Sequence, residues 1–122
     1  MKIIENSLEG IKEAAKILTN NGIVAFPTET VYGLGANAFS KEAVTKLYEV
    51  KRRPSFNPLI IHVSSYNMAK EYGIFNYTAE KLVKKYWPGP LTIIVKKKKS
   101  KVVESATAKL ETIALRLSLI HI

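Results

Sequence analysis

Four short apolar runs rich in β-branched residues, Ile23 to Phe26, Leu59 to Val63, Leu91 to Val95 and Thr112 to Arg116, alternate with stretches of helical period. That alternation predicts an α/β sheet with helices packed on it. Leu8, Ile11, Ala14, Ala15 and Leu18 fall at helical spacing, and Asn20-Asn21-Gly22 supplies residues that tolerate a left-handed stop. Ser40 is an N-cap for a helix presenting Val44, Leu47 and Tyr48 on one side, and Pro54 and Pro58 keep the chain beyond it from continuing as helix. Further helical stretches are expected over Asn67 to Tyr72 and over Thr78 to Trp87, the latter with Leu82, Val83 and Tyr86 inward, stopped by Pro88-Gly89-Pro90. Thr28 to Asn37 reads as a loop, Lys96 to Lys101 as a charged turn and Val102 to Glu111 as weakly patterned chain. No repeat or linker divides the sequence.

The 122 residues are enough for one globular domain or part of one, burying roughly 60–70% of the surface of the unfolded chain. Absence of cysteine excludes disulfides, thiolate metal sites and cysteine nucleophiles, and because all ten acidic residues are Glu, Asp-based clusters are excluded too. No apolar run approaches the roughly 18 residues of a membrane span, and Met1 to Glu5 lacks a signal-peptide core, so a cytoplasmic protein without membrane contact is expected. The net charge of +9 is uneven: residues 1–50 carry five Lys and six Glu, residues 51–122 fourteen Lys or Arg and four Glu. An anionic partner would explain this, and so would an AT-rich coding sequence, since sixteen of the nineteen basic residues are Lys.

Pro27-Thr28-Glu29-Thr30-Val31-Tyr32-Gly33-Leu34-Gly35 stands at the carboxyl end of an expected strand, where open α/β sheets bind ligands, with hydroxyls, a carboxylate and bare backbone N–H groups. It is neither a dinucleotide fingerprint nor a Walker loop, and on spacing alone a structural turn accounts for it. Lys51-Arg52-Arg53-Pro54 with Asn57-Pro58 suits polyphosphate, the alternative being cations that cap a helix end. His62 alternates with Ile61 and Val63 and so faces away from them, and Arg116 within Ile113-Ala114-Leu115 needs an anionic partner if buried. Either could anchor a substrate. Lys96 to Lys99 with Lys101 reads as a solvated turn, and Tyr86-Trp87 beside Pro88 as core and turn packing.

Taken in order, Gly22 to Gly35, Lys51-Arg52-Arg53-Pro54, Asn57-Pro58-Leu59-Ile60-Ile61-His62, Trp87-Pro88-Gly89-Pro90-Leu91-Thr92 and Ile113-Ala114-Leu115-Arg116 resemble the YrdC-like family over about residues 8 to 116. The resemblance implies a twisted open mixed sheet flanked by helices. It also implies a nucleotidyltransferase that makes L-threonylcarbamoyl-adenylate and pyrophosphate from L-threonine, bicarbonate or CO2 and ATP, the first step toward N6-threonylcarbamoyladenosine in tRNA. Thr30, His62 and Arg116 would contact threonine; Arg53, Asn57 and Thr112 would contact ATP, with Lys51 assisting at the phosphates. No residue is required as a covalent nucleophile. Mg2+ is expected with ATP, and the implied partners are a downstream threonylcarbamoyl-transferase complex and a tRNA or double-stranded RNA contact. An RNA-binding module without catalysis and a related carbamoyl-transfer domain are the alternative readings.

The resemblance falters at the end, where Ser118 stands in place of an expected Pro. Leu117-Ser118-Leu119-Ile120-His121-Ile122 is what CTGTCTCTTATACACATC, a transposase end sequence used in preparing sequencing libraries, encodes in frame. The expectation is therefore the N-terminal part of a YrdC-like domain over residues 1–116, a sheet incomplete at its C-terminus, and a non-native tail over 117–122, with His121 given no role. Such a chain could be inactive by itself.

Overall fold

A computed structural model describes residues 3–5, 7–27 and 31–117 of the chain. Helix α1 (Leu8–Thr19) is capped by Ser7, whose side chain accepts from Gly10 N, and ends through Asn21 in a left-handed conformation (φ 64°). Gly22 stands next because a Cβ there would lie 2.5 Å from the Ile17 Cγ2. Strands β1 (Val24–Pro27) and β2 (Tyr32–Gly35) pair antiparallel, Val24 opposite Gly35 and Pro27 opposite Tyr32. Helix α2 (Lys41–Lys51) begins at Ser40, which accepts from Ala43 N, and closes on Arg52 at φ 52°. Strand β3 (Ile60–His62), helix α3 (Tyr66–Tyr72), strand β4 (Gly73–Ile74), helix α4 (Tyr77–Tyr86), strand β5 (Thr92–Lys97), a 3₁₀ turn (Glu104–Thr107) and strand β6 (Thr112–Arg116) complete the order.

Four strands form a mixed sheet in the order β3-β6-β5-β4, with β3 parallel to β6 and the other pairs antiparallel. The mixed α/β sheet flanked by helices is the architecture expected. Alternation gives the sheet two unlike faces. Ile61, Val63, Ile93, Val95, Ile113 and Leu115 point to one side and join Val44, Tyr48, Ala69, Tyr72, Ala79 and Val83 of the helices in one core. The other face carries Ile60 and His62 on β3, Thr112, Ala114 and Arg116 on β6, Thr92, Ile94 and Lys96 on β5 and Ile74 on β4. It is far more open, with Ile94 69% exposed.

Several expectations are corrected. The segment expected as a loop over Thr28 to Asn37 contains β2, and Ile23 to Phe26 belongs to this separate hairpin instead of the main sheet. Its glycines allow close approach: a Cβ on Gly35 would lie 2.7 Å from the Phe26 ring. On α4, Leu82 and Tyr86 are exposed, because Ala79 and Val83, one turn apart, are the residues laid on the sheet. Strand β4 and the 3₁₀ turn were not legible, both being too short for a periodicity. The apolar stripe of α1 is only partly covered, with Leu8 69% exposed. Leu117 packs half-buried against the core and its carbonyl accepts from Gly89 N at 2.9 Å, which does not bear on whether 117–122 are native. Residues 118–122 lie outside the described residues.

Candidate functional site

His62 and Arg116 are direct register partners on the parallel strands β3 and β6, and both side chains stand on the open face. Their flanking residues Ile61 and Leu115 are buried in the core, at 6% and 0% exposure, which fixes the rotation of both strands. His62 Nδ1 and Arg116 Nε are buried. Phe26 of β1 sets its ring edge-on to His62, centroids 5.8 Å apart, so the hairpin reaches the same end of the sheet. Sequence reasoning did not single out Phe26; its position just before Pro27 at the end of an apolar strand was the available signal. Thr30, in the connection between β1 and β2, lies outside the described residues.

A second group gathers at the amino end of β3. Arg53 Nε donates to the Asn57 carbonyl at 3.4 Å and its Nη2 to the Pro58 carbonyl at 2.9 Å. The Tyr48 hydroxyl donates to the same Asn57 carbonyl at 2.6 Å. Burial raises the Tyr48 phenol above its ordinary range, against the opposing charge of Arg53. The sequence marks Tyr48 only as a core residue. The turn is closed by Asn57 N donating to Pro54 O, and Leu59 N to Ala106 O leads into β3. Ile60, the first residue of β3, pairs with Ala114, and Thr112 begins β6 two residues before it. Thr112 shares the open face with Arg116, about 13 Å away along β6. Lys51 is exposed at the end of α2.

The predicted residues thus form two clusters at opposite ends of one pair of strands, His62 with Arg116 and Arg53 with Asn57, and Thr112 stands at the amino end of β6. A guanidinium has five N–H donors, so the two that Arg53 gives to backbone leave capacity for an anion. Among the described residues there is no group of three or more His, Cys, Asp or Glu that could hold a metal ion. Mg2+ that arrives with ATP is held chiefly by the phosphates and water, and needs no such group. No described helix is long and apolar enough to cross a membrane.

The lysine run is partly engaged internally. Lys97 Nζ bonds Glu104 Oε2 at 3.1 Å and Thr107 Oγ1 at 3.0 Å, and Lys98 Nζ donates to Lys70 O at 2.8 Å. A concavity of about 760 Å³ beside it is lined by Lys41, Lys97, Lys98, Lys99, Lys101 and Lys109 among others, and includes neither His62 nor Arg116. Trp87 is half-buried against Phe75 with its Nε1 donating to Leu91 O at 2.8 Å, the packing role expected of it.

The domain family described as "Telomere recombination", that of Sua5, YciO and YrdC, matches residues 16–122. A threonylcarbamoyl-AMP synthase of Bacillus subtilis is 48% identical over 108 residues, covering 88% of this chain and 31% of that protein. One of Pyrococcus abyssi is 46% identical over 127 residues, covering 96% and 36%. The crystal structure of P. abyssi Sua5 complexed with L-threonine superposes with a TM-score of 0.88 at 42% identity, covering 98% of this chain and 34% of that one. The chain spans about a third of the length of these relatives.

Proposed function

The chain belongs to the Sua5/YciO/YrdC family, and from that membership we propose that it provides the threonine-binding end and part of the nucleotide-binding end of a threonylcarbamoyl-AMP synthase. The observation that carries this reading is the His62–Arg116 pair on one open sheet face, in a domain that superposes on a relative solved with L-threonine. Arg116 receives the amino-acid carboxylate, for which its fork of donors is suited, with His62 and Thr30 beside it. Arg53, Asn57 and Thr112 receive ATP at the other end of the strands, and Lys51 adds charge at the phosphates.

The chemistry proposed for that arrangement is the following. The threonine amine adds to CO2 and loses a proton, giving a carbamate. A carbamate oxygen then attacks the α-phosphorus of MgATP, a P–O bond forms, and the bond to the β-phosphate breaks to release pyrophosphate. The product joins an amino-acid end to a nucleotide end, so it can lie along β3 and β6 and touch both clusters. Holding two reactants in line and neutralising phosphate charge are the protein's contributions, which is why no nucleophilic side chain is needed. The adenylate then passes to a transferase acting on tRNA in the cytoplasm.

Pyrophosphate release measured with L-threonine, bicarbonate and MgATP tests this. The expected result is release that requires all three. Release that persists without threonine would instead indicate the carbamoyl-transfer chemistry of a related domain.

A further inference from the structure

The row that begins with His62 and Arg116 has a third member. Thr92, the first residue of β5, is the antiparallel register partner of Arg116, so His62, Arg116 and Thr92 stand side by side on three adjacent strands. Thr92 is half-buried, while its neighbour Ile93 is 9% exposed and faces the core. Thr92 therefore shares the open face with Arg116, and directly opposed residues of an antiparallel pair have Cβ atoms about 4.5–5.5 Å apart. Two strand spacings separate His62 from Thr92, about 10 Å with Arg116 between them, a width suited to a small amino acid.

One loop holds this end of the row. Gly89 N donates to the carbonyl of Leu117, the residue after Arg116, at 2.9 Å. Trp87 Nε1 donates to the carbonyl of Leu91, the residue before Thr92, at 2.8 Å. The Trp87-Pro88-Gly89-Pro90-Leu91-Thr92 segment, in sequence a stop and a packing element, is thus fastened beside both Arg116 and Thr92.

We propose that Thr92 is a ligand-binding residue whose hydroxyl donates a hydrogen bond to the amino-acid carboxylate held by Arg116. This rests on the assignment of Arg116 to that carboxylate. A carboxylate can accept from both the guanidinium fork and a hydroxyl, and a neighbouring threonine adds a donor without adding charge.

The test is calorimetric titration of the chain and of Thr92→Val and Thr92→Ser with L-threonine and MgATP. Valine keeps the shape and strand preference while removing the hydroxyl. Thr92→Val is expected to weaken L-threonine about tenfold and to leave MgATP unchanged. Thr92→Ser is expected to stay within about twofold of the unsubstituted chain. The inference is overturned if Thr92→Val binds L-threonine normally, if Thr92→Ser is as weak as Thr92→Val, or if threonine and MgATP weaken together. An unsubstituted chain that takes up no L-threonine overturns the parent reading, and this one with it.

Discussion

Arg53 holds a turn and keeps further donors for a ligand. Its bonds to the Asn57 and Pro58 carbonyls hold the turn that starts β3, so Arg53→Ala removes a clamp as well as a charge. Weaker ATP binding with threonine affinity little changed is expected, accompanied by a loss of about 1–3 kcal/mol in denaturant unfolding. Arg116→Ala should do the reverse to the ligands, weakening threonine roughly 10- to 100-fold and sparing ATP. Titrations in which both variants affect the same ligand would contradict the division of roles. Tyr48 adds a pH signature. Burial holds its phenol above the ordinary range despite Arg53, so the folded state keeps the proton more tightly than the unfolded chain. Its contribution is complete below about pH 10 and is lost as pH rises through the folded value. Tyr48→Phe should cost about 1 kcal/mol at neutral pH and flatten the alkaline decline, measurable by unfolding at pH 8 and pH 11.

Among the elements, α2 and β6 place the two clusters. Ser40 caps α2 and Ala43, Val44, Leu47 and Tyr48 bury its inner side, which brings the Arg53 turn to the amino end of β3. Ser40→Ala should cost about 1 kcal/mol without altering threonine affinity. Leu115, fully buried beside Arg116, fixes which way that arginine faces, so Leu115→Ala should cost about 2–5 kcal/mol and weaken threonine as well. The faces of β3 and β6 were legible in sequence because Ile61, Val63, Ile113 and Leu115 alternate with His62, Ala114 and Arg116. Hairpin β1–β2 was not, since Gly33 and Gly35 carry a loop signal although Gly35 serves to admit the Phe26 ring. Leu82 was misplaced because α4 offers several apolar residues and only contact with the sheet selects Ala79 and Val83. The role of Thr92 was hidden for a related reason: it depends on a pairing between β5 and β6 that no local pattern displays.

At the scale of the whole molecule, one sheet divides the labour. Its inner face and the helices form the core, and its outer face carries the polar residues of the site together with exposed Ile60, Ile74 and Ile94. The parallel β3–β6 pair sets His62 with Arg116 at one end and the Arg53 turn at the other. The proposed function puts the amino acid at the His62–Arg116 end. The most direct measurement is NMR of the labelled chain titrated with L-threonine, following the His62 ring and Arg116 Nε–H signals beside those of Arg53. Saturable shifts at His62 and Arg116 with Arg53 unmoved are the predicted result; shifts centred on Arg53, or none on the sheet's outer face, would contradict the account.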